Sequence, residues 1–376
     1  MTERNPVIIA AARTAIATTG GMFANLDTTE LAAPVVARLA EKFSEVTEVV
    51  LGNVRGPGGN PARLAALAAG LENVPAVTLD RQCGSGMAAI EYAYHRLRSE
   101  PGVVIAGGVQ AASTQPITIW PPGHPNAGEP FTKAPFAPPP WDDPELGVAA
   151  DLLAEECQIT RERQDAYALL SHQRAYQSRE TGVFADEIVP VTGQATDERP
   201  RKFTMDRLAR FRPAFRPGGT ITAANCCGVN DAAAAVLMVD GETFEKLDVP
   251  GLRVLRAVSA TCSPDRPGWG IVPAVRKLGA EAIVQNPDTV LEFNEAFAGQ
   301  VLACADGLGI DEARICPQGG AIGLGHPWAA SGAVLAVRLF SQLVGHGRQC
   351  RWPGRLGLAA IAIGGGQGSA MLVEAC

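Results

Sequence analysis

The chain of 376 residues contains no run approaching 18 uninterrupted apolar residues, so no helix long and apolar enough to cross a bilayer is expected. Its opening segment, MTERNPVIIAAARTA, sets charges beside a short apolar run with no small-residue cleavage site behind it, which points away from a secretory signal and toward the cytoplasm. A basic stripe is missing too. The 32 Lys and Arg are interspersed among 39 Asp and Glu for a net charge of -7, so nucleic acid is not an expected partner. The nine cysteines are an odd number with no CxxC pair and no Cys/His ligand spacing, which argues against a disulfide framework or a zinc site. The adjacent Cys226 and Cys227 read as structural packing or pocket lining. What remains, 47% hydrophobic and 19% charged, is ordinary globular composition with enough apolar residues for one large core or two fused ones.

Short runs rich in Val, Ile and Leu recur as PVIIA (6–10), EVVLG (48–52), PAVTL (75–79) and GVVIA (102–106), with helical patterns between most of them. This alternation predicts a layered α/β fold. Asp27 stands three residues before Glu30 and just ahead of an apolar run, the arrangement of a capping box, and Pro34 is expected to kink the helix it starts. The second half repeats the rhythm in LRVLRAVSA (252–260), a helix near 272–282, TVLEF (289–293), a helix from about 330, LAAIAIGGG and SAMLVEA, and reads as a weak internal duplication. There the tight turn GGGQG (364–368) joins the last two strands, whereas more than a hundred residues separate GVVIAGG from AAAAVLMVD (232–240) in the first half. The domains are therefore read as 1–107 plus 232–250 for the N-terminal half, 108–231 for an inserted loop domain and 251–376 for the C-terminal half. The insert opens with a Pro-rich segment, 121–143, that cannot be regular structure, and continues with helices, one capped by Thr160 and ended by Gly182.

In VTLDRQCGSGMAAIEYAYHRL a strand ends, a Gly-Ser-Gly turn follows, and Met87, Ile90, Tyr94 and Leu97 fall at helical spacing. Cys83 thus sits at a helix N-terminus, where unsatisfied amides favour a thiolate and face the oxygen of a thioester carbonyl. A buried free cysteine at a packed turn accounts for the same residues. His326, in GGAIGLGHPWAASGA, is presented from a loop before a helix, and is open to a proton-transfer role or to that of a satisfied turn histidine. His95 and His172 lie on predicted helices, His124 in the Pro-rich segment and His346 in a polar turn. Asn294, in LEFNEAFA, reads on its own as a strand-end residue. The glycines of GGGQG join two strands and do not open a helix, so they are not a dinucleotide cradle.

Together RQCGSG, NEAFA, GGAIGLGHPWAASGA and GGGQG occur in the order and spacing of the thiolases, and the sequence resembles that superfamily over practically its whole length. EVVLGNV, ITRERQDAYALLSHQRA, RFRPAF and GTITAANCCGVNDAAAA are further matches. The resemblance implies the thiolase fold: two duplicated α/β halves, each a five-stranded sheet with helices, in five layers around a shared helix pair, with an inserted loop domain, and a homodimer or dimer of dimers. It makes Cys83 the acylated nucleophile and His326 the residue that activates it. With a water held by Asn294, His326 would form a first oxyanion hole, and the amides of Cys83 and Gly364 a second. It also implies that Arg201 meets the nucleotide of coenzyme A, with no tightly bound cofactor and a coenzyme A or phosphopantetheine thioester as substrate.

The pattern breaks at the family's second reactive cysteine, which precedes the glycine turn; here the segment reads Ala362-Ile363-Gly364-Gly365-Gly366. Alanine has nothing to titrate, and loss of a positioned general base costs on the order of 100- to 10,000-fold in rate. The usual HMG segment aligns with Glu145-Leu146-Gly147, the serine that touches pantetheine with Cys227, and the asparagine ahead of the nucleophile with Asp80. The leading expectation is an acyltransferase that loads Cys83 from a coenzyme A or carrier-protein thioester and passes the acyl group on without a base at 362. An amine, an alcohol, an activated carbon or a decarboxylating thioester would each serve as acceptor. The alternatives are an acetyl-CoA acetyltransferase or 3-ketoacyl-CoA thiolase that uses another base, such as His326 alone, and a non-catalytic subunit that binds acyl thioesters.

Overall fold

The structure is a computed structural model that describes residues 5–43, 45–130, 135–347 and 349–376. The first half runs β1 (Val7–Arg13), β2 (Ala17–Thr18), α1 (Thr28–Ala40), β3 (Glu48–Gly52), α2 (Pro61–Ala68), β4 (Ala76–Leu79), α3 (Ser85–Ser99) and β5 (Val103–Gln110). The connection to β6 carries α4 (Leu146–Glu156), α5 (Arg161–Glu180) and α6 (Met205–Leu208); β6 (Asn230–Val239) and α7 (Gly241–Phe244) close the half. The second half runs β7 (Leu252–Thr261), α8 (Ile271–Leu278), α9 (Glu281–Gln285), β8 (Val290–Phe293), α10 (Ala298–Leu308), α11 (Ala321–Leu324), α12 (Trp328–Leu343), β9 (Leu356–Ile363) and β10 (Gln367–Ala375).

Local chemistry accounts for most of these boundaries. Asp27 accepts from the amides of Thr29 and Glu30 while Glu30 reaches back to the Asp27 amide, so the capping box forms as expected. Pro34 lies inside α1, which nevertheless continues to Ala40. Thr160 caps α5, which stops at Glu180 before Gly182 at φ 74°. The helix expected over 272–282 is broken in two by Gly279, whose φ of 72° ends α8 in the left-handed region. Of the Pro-rich segment, 131–134 lie outside the described residues, and the rest shows only the isolated bridge between Ile119 and Pro130.

The strands follow the order β4-β3-β5-β6-β1-β7-β10-β9-β8, with β2 beside β6. The first five are the five-stranded sheet of the first half. The second half contributes four, and an isolated parallel bridge between Leu291 and Ile315 stands where a fifth would pair. The two halves touch edge to edge through Val7 opposite Arg253 and Ile8 opposite Leu252.

Three apolar layers give the molecule its depth. One cluster lies outside the first sheet, under α1 and α2, and another outside the second, under α8 and α10. The central cluster surrounds α3 and α12, which pack on each other; α3 lies on β3 and β5, while α12 meets β1, β5 and β6 of one half and β8 and β9 of the other. This is a five-layered arrangement around one helix pair.

The crossing of that pair is close enough to require glycine. A Cβ at Gly86 would lie 2.7 Å from the Ala329 carbonyl oxygen, and one at Gly332 would lie 2.6 Å from the Met87 nitrogen. Helix propensity alone favours alanine over glycine by about 1 kcal/mol, so the contact, and not the helix, selects glycine here. Gly332→Ala should therefore lower stability by about 1–3 kcal/mol through overpacking, despite the propensity gain, as read by urea unfolding.

Candidate active site

The segments that precede α3 and α12 meet at a pocket of about 190 Å³, lined by Cys83, Cys227, His326, Ala362 and Gly364 among others. Each is held there by a local device. After β4, the Asp80 carboxylate accepts from the Gln82 amide at 2.8 Å, and Gln82 takes a left-handed φ of 49° that turns the chain sharply. Ser85, fully buried, accepts from the Arg81 amide at 2.8 Å and donates to the Gln82 carbonyl at 2.6 Å, which closes the elbow beneath Cys83. Arg81 pairs with Glu91 at 2.6 Å and donates to Ser259 of β7 at 2.5 Å, so the elbow is anchored to the other half.

His326 follows α11 and Gly325, whose φ of 119° only glycine adopts readily, and whose Cβ would strike Asn230. The Asn230 amide oxygen accepts from the His326 backbone N–H at 2.9 Å, and its nitrogen donates to the Ala17 carbonyl at 2.8 Å. His326 Nδ1 lies 2.6 Å from Ser331 Oγ, which engages that nitrogen and leaves Nε2 as the ring nitrogen free to act in the pocket.

Burial controls the charges. It pushes the Cys83 thiol up to about 12, with the Asp80 carboxylate adding to the effect and the residue's own amide opposing it. Burial likewise pulls His326 down to about 4. At neutral pH these shifts favour a thiol and a neutral imidazole on the walls of one pocket. Desolvation opposes the thiolate that a helix N-terminus favours, and Cys83 lies one residue ahead of the capping Gly84.

The other expected site residues divide. Gly364 and Cys227 line the pocket with Cys83 and His326. Burial and the neighbouring Cys226 raise the Cys227 thiol, against the pull of Arg199. Asn294 lies apart, on the wall of a small adjoining cavity that it shares with Ser331, and its buried Nδ2 has no partner. Arg201 lines a separate cavity of about 290 Å³ with His172, Arg199, Phe203, Arg207 and Phe211, and no carboxylate among the described residues joins them. Arg199 reaches from there to the back of the pocket, donating to the carbonyls of Ile322 and Cys226 at 3.0 and 2.9 Å.

Sequence reasoning named the segment of Leu146, which lines the pocket, but missed most of the other lining: Phe215 from the insert, and Phe297, Gln300 and Trp328 from the second half. Only Trp328 and Phe297 carried a signal, their nearness to His326 and Asn294 in the chain. Phe136 was also missed; a Cβ at Gly364 would lie 3.3 Å from its ring, so it covers the glycine turn.

Two family models cover nearly all of the chain: Thiolase, N-terminal domain, over residues 6–242, and Thiolase, C-terminal domain, over 250–375. A putative acetyl-CoA C-acetyltransferase of Bacillus subtilis is 38% identical over 381 residues, covering 98% of this chain and 99% of its own. An acetyl-CoA acetyltransferase of Pseudomonas aeruginosa is 39% identical over 395 residues, covering 97% and 98%. The crystal structure of the Bacillus anthracis acetyl-CoA acetyltransferase superposes with a TM-score of 0.89 at 35% identity, covering 99% of both chains. The chain belongs to the thiolase family and is an acyltransferase.

Two buried histidines set an acid limit on this architecture. Burial, joined by the charge of Arg199, lowers His172 to about 4, and burial alone lowers His326 to about 4. Unfolded imidazoles titrate near about 6.5, so between these values the unfolded chain binds more protons and stability rises with pH. The contribution of these two histidines, read by urea unfolding, should fall as pH drops from about 6.5 toward 4, against the opposite contribution of Glu292, whose carboxyl burial raises to about 7. His172→Leu, outside the pocket, should flatten part of that fall.

Proposed function

We propose that this thiolase-family acyltransferase takes an acyl group from a coenzyme A or carrier-protein thioester onto Cys83, then passes it to an acceptor that needs no proton removed by residue 362. The supporting observation is that Cys83, His326 and Gly364 share one pocket with Ala362, which offers only a methyl group. In the first step Cys83 Sγ gives its proton to His326 Nε2 and bonds the thioester carbonyl carbon. The carbon–sulfur bond to the donor then breaks, and His326 returns the proton to the departing thiolate. The Cys83 and Gly364 amides would hold the oxyanion, and Asn294 Nδ2 would hold a water for the hole on the His326 side. Cys227 would border the pantetheine arm, and the arginine-lined cavity suits the phosphates of a nucleotide, with Arg201 among its contacts. A homodimer or dimer of dimers belongs to the same reading.

A second reading has a specific observation in its favour. The relatives that span the chain are named acetyl-CoA acetyltransferases, so the alternative is a Claisen enzyme that uses another base, with His326 the candidate at hand. The non-catalytic reading has no such support, since these relatives are enzymes by name.

Incubation with acetyl-coenzyme A and a panel of longer acyl thioesters, followed by intact-protein mass spectrometry, should show one adduct that maps to Cys83 and is absent from Cys83→Ala. His326→Ala should slow loading by about 100- to 10,000-fold while leaving the melting temperature nearly unchanged. Mapping of the acyl group to Cys226, Cys227 or Cys316 would overturn the assignment.

The role of residue 362 separates the two readings. Solvent deuterium should not enter the α-position of a bound acyl thioester, and acetoacetyl-coenzyme A should be neither made nor cleaved at ordinary thiolase rates. Ala362→Cys should raise α-exchange. Efficient thiolysis by the chain with Ala362 in place would overturn the first reading in favour of the second.

A further inference from the structure

Behind His326 lies a cavity of about 20 Å³ whose walls include Ser331, Asn294, Glu292 and Arg338. Its lining is mostly apolar, but Glu292, Ser331 and Arg338 are among its polar side chains, and Arg338 Nε has no partner. A space of this size holds one water, and the two to four polar partners that a buried water needs are available from Arg338 Nε, Ser331 and Glu292. Ser331 Oγ stands between this cavity and the active-site imidazole, 2.6 Å from His326 Nδ1. Glu292, only 1% exposed, is the carboxyl group on the wall, and Gln342 donates to its Oε1 at 2.6 Å.

We propose that Glu292 is a positioning residue for the acyl-transfer reaction, acting on His326 through Ser331 and a water in this cavity. The inference rests on the reading of His326 as the proton acceptor of Cys83. When His326 Nε2 takes the thiol proton, Nδ1–H donates to Ser331 Oγ. The Ser331 hydroxyl then donates to the water in the cavity, through which the Glu292 carboxylate is the final acceptor. No proton leaves the chain: the carboxylate stabilises the imidazolium by orientation and charge, as an acid behind a catalytic histidine does.

The surroundings of Glu292 make this assistance dependent on pH. Burial raises its carboxyl to about 7, the Arg338 guanidinium of α12, Gln342 and the Cys316 thiol oppose that rise, and Glu295 on the same segment adds to it. Arg338 is shared, since it also pairs with Glu187 and donates to Gln318. Below pH 7 Glu292 is protonated and gives little support to an imidazolium; above it the carboxylate gives full support.

The test is the pH profile of Cys83 alkylation by iodoacetamide, which needs no acyl donor and so remains informative whatever the acyl chemistry. The wild-type rate should rise through an inflection near pH 7. Glu292→Gln should lose that inflection and be about tenfold slower above pH 8, the effect of about one pKa unit on His326, while matching wild type below pH 6. Glu292→Asp should keep an inflection. Ser331→Ala cuts the same connection from the other side and should copy Glu292→Gln; it carries the test if the latter fails to fold. If His326→Ala slows alkylation but Glu292→Gln and Ser331→Ala keep the wild-type profile, the inference is overturned while the proposed role of His326 stands. If His326→Ala alkylates at the wild-type rate, both fall.

Discussion

The crossing of α3 and α12 is the constraint on which the rest of the structure depends. One helix comes from each half, and their preceding segments carry the two residues that must meet, Cys83 and His326. Gly86 and Gly332 let the backbones approach within side-chain-free distance, which brings the elbow before α3 and the loop before α12 to one pocket. The same crossing dictates how the interior is filled. α12 is buried along nearly its whole length, Arg338 included, and that cation is compensated by Glu187, which Arg13 and Ser341 also bind. Arg13 in turn holds Asp197 of the insert at 2.7 Å. Removing one member of such a buried network would strand another's charge, so it locks the insert onto the helix pair more firmly than its net stability suggests.

Deep burial also decides how the site can work. Desolvation raises the half-buried Cys83 thiol to about 12 and lowers the buried His326 to about 4, so both groups favour their neutral forms. On the proposed reading the proton would move as the new bond forms, when charge passes onto the carbonyl oxygen and backbone amides can receive it. The structure therefore needs groups that stabilise a transient imidazolium without ionising the resting pair. Ser331 Oγ, within 2.6 Å of Nδ1, meets that need in a way the helix N-terminus, which acts on the sulfur, does not.

Much of this was legible in the sequence, and what was legible was local. The capping box of α1, the Thr160 cap, the strand-turn-helix around Cys83 and the glycine turn after β9 are each set by a few neighbouring residues. The split of 272–282 at Gly279 was missed because a single glycine inside an apolar pattern is tolerated as often as it terminates a helix. The central crossing had no local signature, since Gly86 and Gly332 explain themselves only when the helices touch. The thiol's elevated pKa was equally hidden: a helix N-terminus can be read from spacing, whereas desolvation depends on Phe215, Leu146 and Trp328, which arrive from distant segments. Asn294 and Arg201 were singled out by resemblance, yet they line cavities of their own beside the reaction pocket.

The position of Ala362 shows why a missing thiol need not undo the rest. It lies on β9, opposite Gly368 of β10, and touches the pocket only as a methyl on its wall. The elbow under Cys83 is held by Asp80, Ser85 and Arg81, and the loop of His326 by Asn230 and Ser331; residue 362 supports neither. Gly364, two residues on, keeps its place through the hairpin, whose turn is fixed by Gly365 and Gly366 at φ 82° and 73°. The parts that would accept an acyl group are thus built from the helix crossing and the glycine turn, while the group that would deprotonate a second thioester is a side chain on a strand already held by its ladder. On the proposed reading acyl loading and α-proton removal are separable, because the side chains of Cys83 and His326 are held by the elbow and the loop, and none of the supports named for them runs through residue 362.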